Sequence, residues 1–169
     1  TAECEGALNT TFTVTATDPE GDAVVITAEN LPDGAKFEAN IFDWTPNYDQ
    51  AGMYAVAFVA TDAYNATDSD TSKITVTNVN RPPFFTKTMP DTTIVEKDTL
   101  VFQYEGQDLD NDTLKYALVD GPMTAMITED GLFSWNPVDG DAGVDTIVVS
   151  LTDGEATVVD TAVVTVEVA

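Results

Sequence analysis

The chain has 169 residues, with 30 acidic side chains against 6 basic ones, no histidine and a formal charge of −24. Such a surface repels nucleic-acid phosphates and anionic membranes, and attracts calcium or basic partners. The lack of histidine removes the commonest general base and transition-metal ligand, and the single Cys4 cannot close an internal disulfide. Apolar residues make up 43%, enough for a packed core. No leader pattern is visible and no apolar run approaches membrane-spanning length, so the sequence reads as a mature chain or part of a longer one.

In chain order, the first regular element is "TFTVTAT" at 11–17, with Phe12, Val14 and Ala16 on one face and threonines on the other. Period two is the signature of a half-buried strand. The acidic turn "DPEGD" at 18–22 follows, then "AVVITA", the turn "LPDG" and the strand "IFDWTP" at 41–46. After "PNYDQAG" comes "YAVAFVATD" at 54–62, which places Tyr54, Val56, Phe58 and Ala60 together. At "TNVNRPPFF", residues 77–85, two adjacent prolines interrupt any ladder and mark a short, stiff boundary. Beyond it the pattern starts again. Ile147, Val149 and Leu151 share one face of a strand, as do Ala162, Val164, Val166 and Val168. No segment carries a helical period.

The second half repeats the first. "IFDWTP" returns as "LFSWNP" at 132–137, "QAG" as "DAG", and "ATD" as "LTD". Glu5 and Glu96, Trp44 and Trp135, and Asp62 and Asp153 are each 91 residues apart, whereas the acidic turns are 90 apart. About seven short strands per unit of about 85 residues predicts an all-β protein. The expected fold is two tandem seven-stranded Greek-key β-sandwiches arranged end to end, residues 1–80 and 81–169. The first unit has only four residues before Glu5, whereas the second has "PPFFTKTMPDTTIV" before Glu96. The first unit is therefore expected to lack its first strand, either because the sequence begins there or because an open edge takes a strand from a neighbouring chain. Each tryptophan sits mid-strand two residues from a phenylalanine, a pattern that favours core packing over a sugar platform.

The acidic turns follow one strand and precede another, so they fall at one end of each sandwich. Asp18, Glu20, Asp22 and Asp62 are expected to converge in unit one, and Asp108, Asp110, Asp112 and Asp153 in unit two. Two like charges about 4 Å apart repel by about 4 kcal/mol at a surface dielectric of about 20. A calcium ion, which takes about 6–8 oxygen ligands, would offset that. The competing explanation is that Asp, Asn and Gly are good turn formers and the loops are solvated.

The segments "TATDPEGD", "LPDGAKFEANIFDWTPNYDQAGMYAVAFVATD" and "TNVNRPP", with weaker counterparts in the second half, resemble the tandem cadherin-like and dystroglycan-type Ig-like repeats of extracellular surface proteins, many of them bacterial. The resemblance spans nearly the whole chain. It implies calcium ligands at the junction: Glu5 as the early glutamate, Asp49 from the loop before the sixth strand, Asn78 and Asn80 from the linker, Asp108 and Asp110 as the Asp-x-Asp pair, and Asp153 as the late aspartate. Two positions depart from the pattern. Arg81 stands where the linker should supply an acid, and Ala51 where the loop should supply Glu. Calcium with a reduced ligand set, or an arginine that replaces it by bridging Asp49, Asp108 or Asp110, are both consistent with these residues.

The expected function is an extracellular structural or adhesive tandem module on a cell surface, bacterial by resemblance. It would act as a stiff spacer or self-assembling filament unit, with neighbouring copies or adjacent repeats as partners and Ca2+ as cofactor. The alternative is a calcium-dependent module that binds cell-surface glycan, for which Tyr48, Tyr54 and Tyr64 are the remaining aromatic candidates in unit one. Paired carboxylates without an evident cleft do not favour an enzyme.

Overall fold

The computed structural model describes residues 9–169 and the backbone strand Ala2–Glu3; Cys4 and Glu5 lie outside the described residues. The chain divides between Val79 and Asn80. All regular structure among the described residues is β, as the period-two pattern requires. Unit one contains β1 (Ala2–Glu3), β2 (Thr10–Thr13), β3 (Val25–Glu29), β4 (Lys36–Glu38), β5 (Ile41–Trp44), β6 (Gly52–Thr61) and β7 (Thr67–Thr77). They form a four-stranded sheet in the order β1-β7-β6-β3 and a three-stranded sheet in the order β2-β5-β4. The chain crosses between the two sheets at β1 to β2, β2 to β3, β3 to β4 and β5 to β6, the Greek-key type of connection expected.

Unit two follows the same plan with β8 (Phe84–Lys87), β9 (Thr92–Val95), β10 (Leu100–Gln103), β11 (Glu105–Gln107), β12 (Lys115–Asp120), β13 (Met126–Ile127), β14 (Leu132–Trp135), β15 (Gly143–Thr152) and β16 (Thr157–Glu167). Its sheets run β9-β16-β15-β12 and β10-β14-β13, with a β11-β8 pair. The count exceeds the expected seven for two reasons. The opening strand changes sheets, from β8 on β11 to β9 on β16, and Met89 and Pro90 lie between the two halves. The next strand is broken at Tyr104, beside a register shift between Glu105 and Gly106.

Each unit buries one face of its strands. In unit one Phe42, Trp44, Val56, Phe58, Ile74 and Val76 form the core; in unit two Phe133, Trp135, Ile147, Val149, Val164 and Val166 do so with Tyr104 and Met89. Trp44 and Trp135 are only 1% and 2% exposed, and their indole N–H groups donate to the Asp33 carbonyl at 3.1 Å and to Thr124 Oγ1 at 3.2 Å. A buried Trp needs such a partner, so both tryptophans serve the core rather than a sugar. Leu151 and Ala162 are fully buried as the alternation predicts, but Val168 lies beyond β16 and is exposed.

The opening of unit one departs from expectation in an informative way. Ala2–Glu3 pairs in parallel with Val76 and Thr77, as β9 pairs with β16 in unit two, so a short first strand is present. Residues 14–17, expected to continue the strand of 11–17, belong to no strand, whereas the unit-two counterparts of 15–17, in β11, pair with β8. Period-two sequence makes a residue fit for a sheet, but a ladder also needs a neighbour to bond to.

Candidate cation site and its arginine

The two acidic turns share one local design. Asp18 Oδ1 accepts the N–H of Glu20 at 2.8 Å and of Asp22 at 3.1 Å. Asp108 Oδ1 accepts those of Asp110 at 2.7 Å and Asp112 at 3.2 Å. The chain turns back sharply enough because Gly21 and Asn111 take φ of +87° and +64°, a region that Gly and Asn tolerate best. Asp62 and Asp153 brace their own loops similarly: Asp62 Oδ1 accepts from Tyr64 and Ala66, both at 2.8 Å, and Asp153 Oδ1 from Glu155 and Ala156. Turn formation therefore accounts for one oxygen of each aspartate.

The second oxygens distinguish the units. Asp108 is 5% exposed, and its Oδ2 is buried with no hydrogen-bond partner. A buried carboxylate oxygen without a donor is costly, and a cation would relieve it. Asp108, Asp110 and Asp112 each place one oxygen within 4.8 Å of the others. Asp18, Glu20 and Asp22 do the same in unit one, with Asp18 only half-buried. Asp18 and Asp62 line one cavity of about 450 Å³, so the structure does bring these two together.

Arg81 occupies the unit-two cluster. Its backbone N–H donates to Asp110 Oδ2 at 2.7 Å, and Nε and Nη2 donate to Oδ1 at 2.9 and 2.7 Å, while Nη2 also reaches the Leu109 carbonyl at 2.8 Å. These hydrogen bonds from Arg81 hold the Asp110 carboxyl below the usual carboxylate range. The restricted backbone at Pro82 and Pro83 helps to fix this approach. Asn80 donates to Asp153 Oδ2 at 2.8 Å, the main reason that the Asp153 carboxyl is also held low. Arg81 and Asn80 thus commit Asp110 and Asp153, leaving Asp108 Oδ2 and the exposed Asp112 as the unit-two carboxylates open to an ion. Of the remaining expected ligands, Asp49 lies in the turn after β5, donating its N–H to Asn47 Oδ1 at 3.0 Å, and belongs to neither carboxylate cluster. Asn78 is exposed after β7.

Two functional-looking groups escaped the sequence reading. Glu96 is 6% exposed and accepts the N–H of Gly140 at 2.8 Å and Ala142 at 3.2 Å on Oε1, and of Ala169 at 3.4 Å on Oε2. The Gly140 bond leads the causes that hold its carboxyl low. Its repeat relation to Glu5 was the available signal. Asp160 and Tyr104 each bury an oxygen without a partner. Burial raises the Asp160 carboxyl, and burial with the neighbouring Asp160 pushes the Tyr104 phenol up to about 12. Nothing in the local pattern around either residue flagged them as a pair.

Comparison with known proteins agrees with this architecture. Residues 5–77 match the family model described as "Putative Ig domain", and residues 80–167 match "Bacterial Ig domain". The second match covers more than half of the chain, which belongs to the bacterial Ig-domain family. No curated protein matches. Among solved structures, the chain is similar to the first two extracellular cadherin domains of human protocadherin-24, at 13% identity, TM-score 0.59, covering 92% of this chain and 88% of that one. It is also similar to Sidekick-1 immunoglobulin domains 1–4, at 13% identity, TM-score 0.52, covering 98% and 46%. An endo-fucoidan hydrolase of glycoside hydrolase family 107 matches at 20% identity and TM-score 0.42, and the chain spans only 27% of its length. The two family matches, with the cadherin and immunoglobulin likenesses, establish tandem Ig- and cadherin-like sandwiches, a type common in extracellular proteins. Among the described residues, no helix is long and apolar enough to cross a membrane.

Proposed function

We propose that the chain is a structural or adhesive tandem module of an extracellular protein, with a calcium-responsive pole in unit two. The observation that carries the ion is the partnerless, buried Asp108 Oδ2 within a cluster of three carboxylates. Asp108 and Asp112 would supply carboxylate oxygens, with backbone carbonyls and water completing a hard-cation shell. Arg81 neutralises Asp110 and fixes the chain that leads into β8, so the pole stays ordered with or without the ion. The turn of Asp18, Glu20, Asp22 and Asp62 is a second, weaker site by the same logic, since no buried partnerless oxygen is found there. Glu5, Asp49, Asn78 and Asn80 are secondary candidates.

Burial of both tryptophans deprives the glycan-binding alternative of its best platform, although Tyr64 is 80% exposed. The Ig-like families matched are typically non-enzymatic, in keeping with a binding or spacing role. Calorimetry of the chelated protein, with and without millimolar calcium, tests the reading. A calcium-dependent rise in melting temperature that Asp108→Asn abolishes is expected. An unchanged melting temperature, with loss of stability on Arg81→Ala instead, would mean that arginine takes the place of the ion.

A further inference from the structure

A groove in unit two opens at a place that unit one fills with its own side chains. It holds about 430 Å³ between the segment 122–124 and the turn at 138–143, with Trp135 at its base and Asp145 of β15 at its side. The ladder sets Asp145 opposite Val164 as it sets Tyr54 opposite Ile74, each two residues past the glycine that opens the strand. Asp145 therefore takes the place of Tyr54. In the turn before it, Asp141 takes the place of Gln50: Asp141 Oδ2 accepts the Val138 N–H at 2.8 Å, as Gln50 Oε1 accepts that of Asn47 at 2.8 Å.

Those two exchanges empty the groove. In unit one the Tyr54 ring meets Trp44 edge to face with centroids 4.8 Å apart, and its hydroxyl donates to the Gln50 carbonyl at 3.0 Å. Gln50 Nε2 donates across the gap to the Asp33 carbonyl at 3.0 Å, the same oxygen that takes the Trp44 indole N–H. A carboxylate has neither a ring to fill the space nor a donor to bridge it. Unit two keeps the tryptophan, the turn and the opposite wall, which the Trp135 indole ties down through Thr124, but it lacks the plug. The exchanges also put two carboxylates where unit one has a phenol and an amide, and no Lys or Arg lines the groove. Met123, Val138 and Val144 are exposed around it, apolar surface that a docked chain would remove from water.

We propose that this groove docks an aromatic side chain of a partner protein that carries a lysine or arginine beside it in sequence. The ring takes the position against Trp135 that Tyr54 holds against Trp44, and the neighbouring cation meets Asp141 and Asp145. Tyrosine suits the place best, because its hydroxyl has the Asp141 carbonyl to donate to, as Tyr54 has that of Gln50. The surface lies within unit two and needs no ion, so it adds a class of partner to the adhesive reading and holds or fails apart from the calcium pole.

The test titrates the peptide Ac-Lys-Tyr-Lys-NH2 into the full chain in chelator and reads chemical shifts by NMR. Saturable shifts are expected at the Trp135 indole N–H and at the amides of 122–124 and 138–145, while the Trp44 indole N–H stays in place. Asp145→Tyr, which restores the plug, is expected to weaken binding by at least about tenfold, and the milder Asp145→Asn by at least about threefold. Ac-Lys-Ala-Lys-NH2, which lacks the ring, and Ac-Glu-Tyr-Glu-NH2, which reverses the charge, are each expected to bind more weakly by a similar margin. No saturable shift at millimolar peptide would overturn the site. Equal binding of the alanine peptide would reduce the effect to attraction by net charge and overturn it too, as would unchanged binding by a folded Asp145→Tyr chain. Shifts of the Trp135 indole that grow with protein concentration alone, and vanish in Asp145→Tyr, would give the groove to a second copy and overturn the basic aromatic partner.

Discussion

The two units carry the same sandwich but close its ends differently. In unit two, Gly106 lies under Phe84 and beside Leu151 and Tyr116, so close that a Cβ would sit 2.5 Å from Leu151 Cδ2 and 3.2 Å from the Phe84 carbonyl. The corresponding residue of unit one is Ala16, which lines an open groove on that unit. Likewise the acidic turn is nearly identical in backbone form, yet among the described residues only in unit two does an arginine reach into it, with an asparagine on the nearby Asp153. Repetition conserves the strands and turns, because each repeat must bury one face and reverse direction. The ends of the sandwich are free to diverge, because they answer to whatever lies against them.

The largest expected effect tests whether the two cores are equal. Trp135→Ala and Trp44→Ala should each cost about 3–5 kcal/mol in the unit that contains them. Each unit holds one tryptophan, so after either substitution the remaining indole follows the other unit by fluorescence, and the loss in the substituted unit is read from the circular-dichroism transition that the fluorescence does not follow in denaturant titrations. A much smaller loss in unit one would show that its core tolerates the open end. Next, Gly106→Ala should destabilise unit two by about 1–3 kcal/mol through overpacking. The reciprocal Ala16→Gly should cost unit one no more than about 1 kcal/mol. Equal effects would break the contrast between a closed and an open end.

Smaller again is Asp160→Asn. Burial raises the Asp160 carboxyl, so its charged form opposes folding above that raised value, and acidification relieves the penalty. The amide should therefore stabilise unit two by about 1 kcal/mol at neutral pH, with no gain once the pH falls below the ordinary carboxylate range. Finally, Asp110, Asp153 and Glu96 are held low by hydrogen bonds. Their contributions are present above the ordinary carboxylate range, about pH 4, and are lost as pH falls through their lowered values. Arg81→Ala should lower unit-two stability at neutral pH and flatten this acid-side loss, as read from denaturation midpoints between pH 7 and pH 2.

Much of this was legible in the sequence. Alternation identified the core faces of β6, β15 and β16, including Val56, Phe58, Ile147 and Val149, because side chains on a strand must alternate. The pairing of Trp with Phe in β5 and β14 announced a core, and both indoles are buried. Where the reading ran past the structure, the cause was non-local. The strand at 11–17 ends after Thr13 because its second half has no pairing strand among the described residues, which alternation cannot reveal. Arg81 was recognised as out of place, but only folding selected Asp110 as the carboxylate that it engages within unit two.

By itself, then, the sequence determined two Ig-like sandwiches, their boundary near the paired prolines, and acidic turns at one end of each. Those features follow from short-range rules: the pleat alternates every residue, Pro cannot join a ladder, and Asp braces a tight turn. Tertiary structure alone decided which oxygen of Asp108 is left without a partner and which end of which unit is closed. It also decided how Glu96, Tyr104 and one oxygen of Asp160 come to be buried. Those outcomes depend on residues tens of positions apart that meet only when the sheets pack, so no local pattern could carry them.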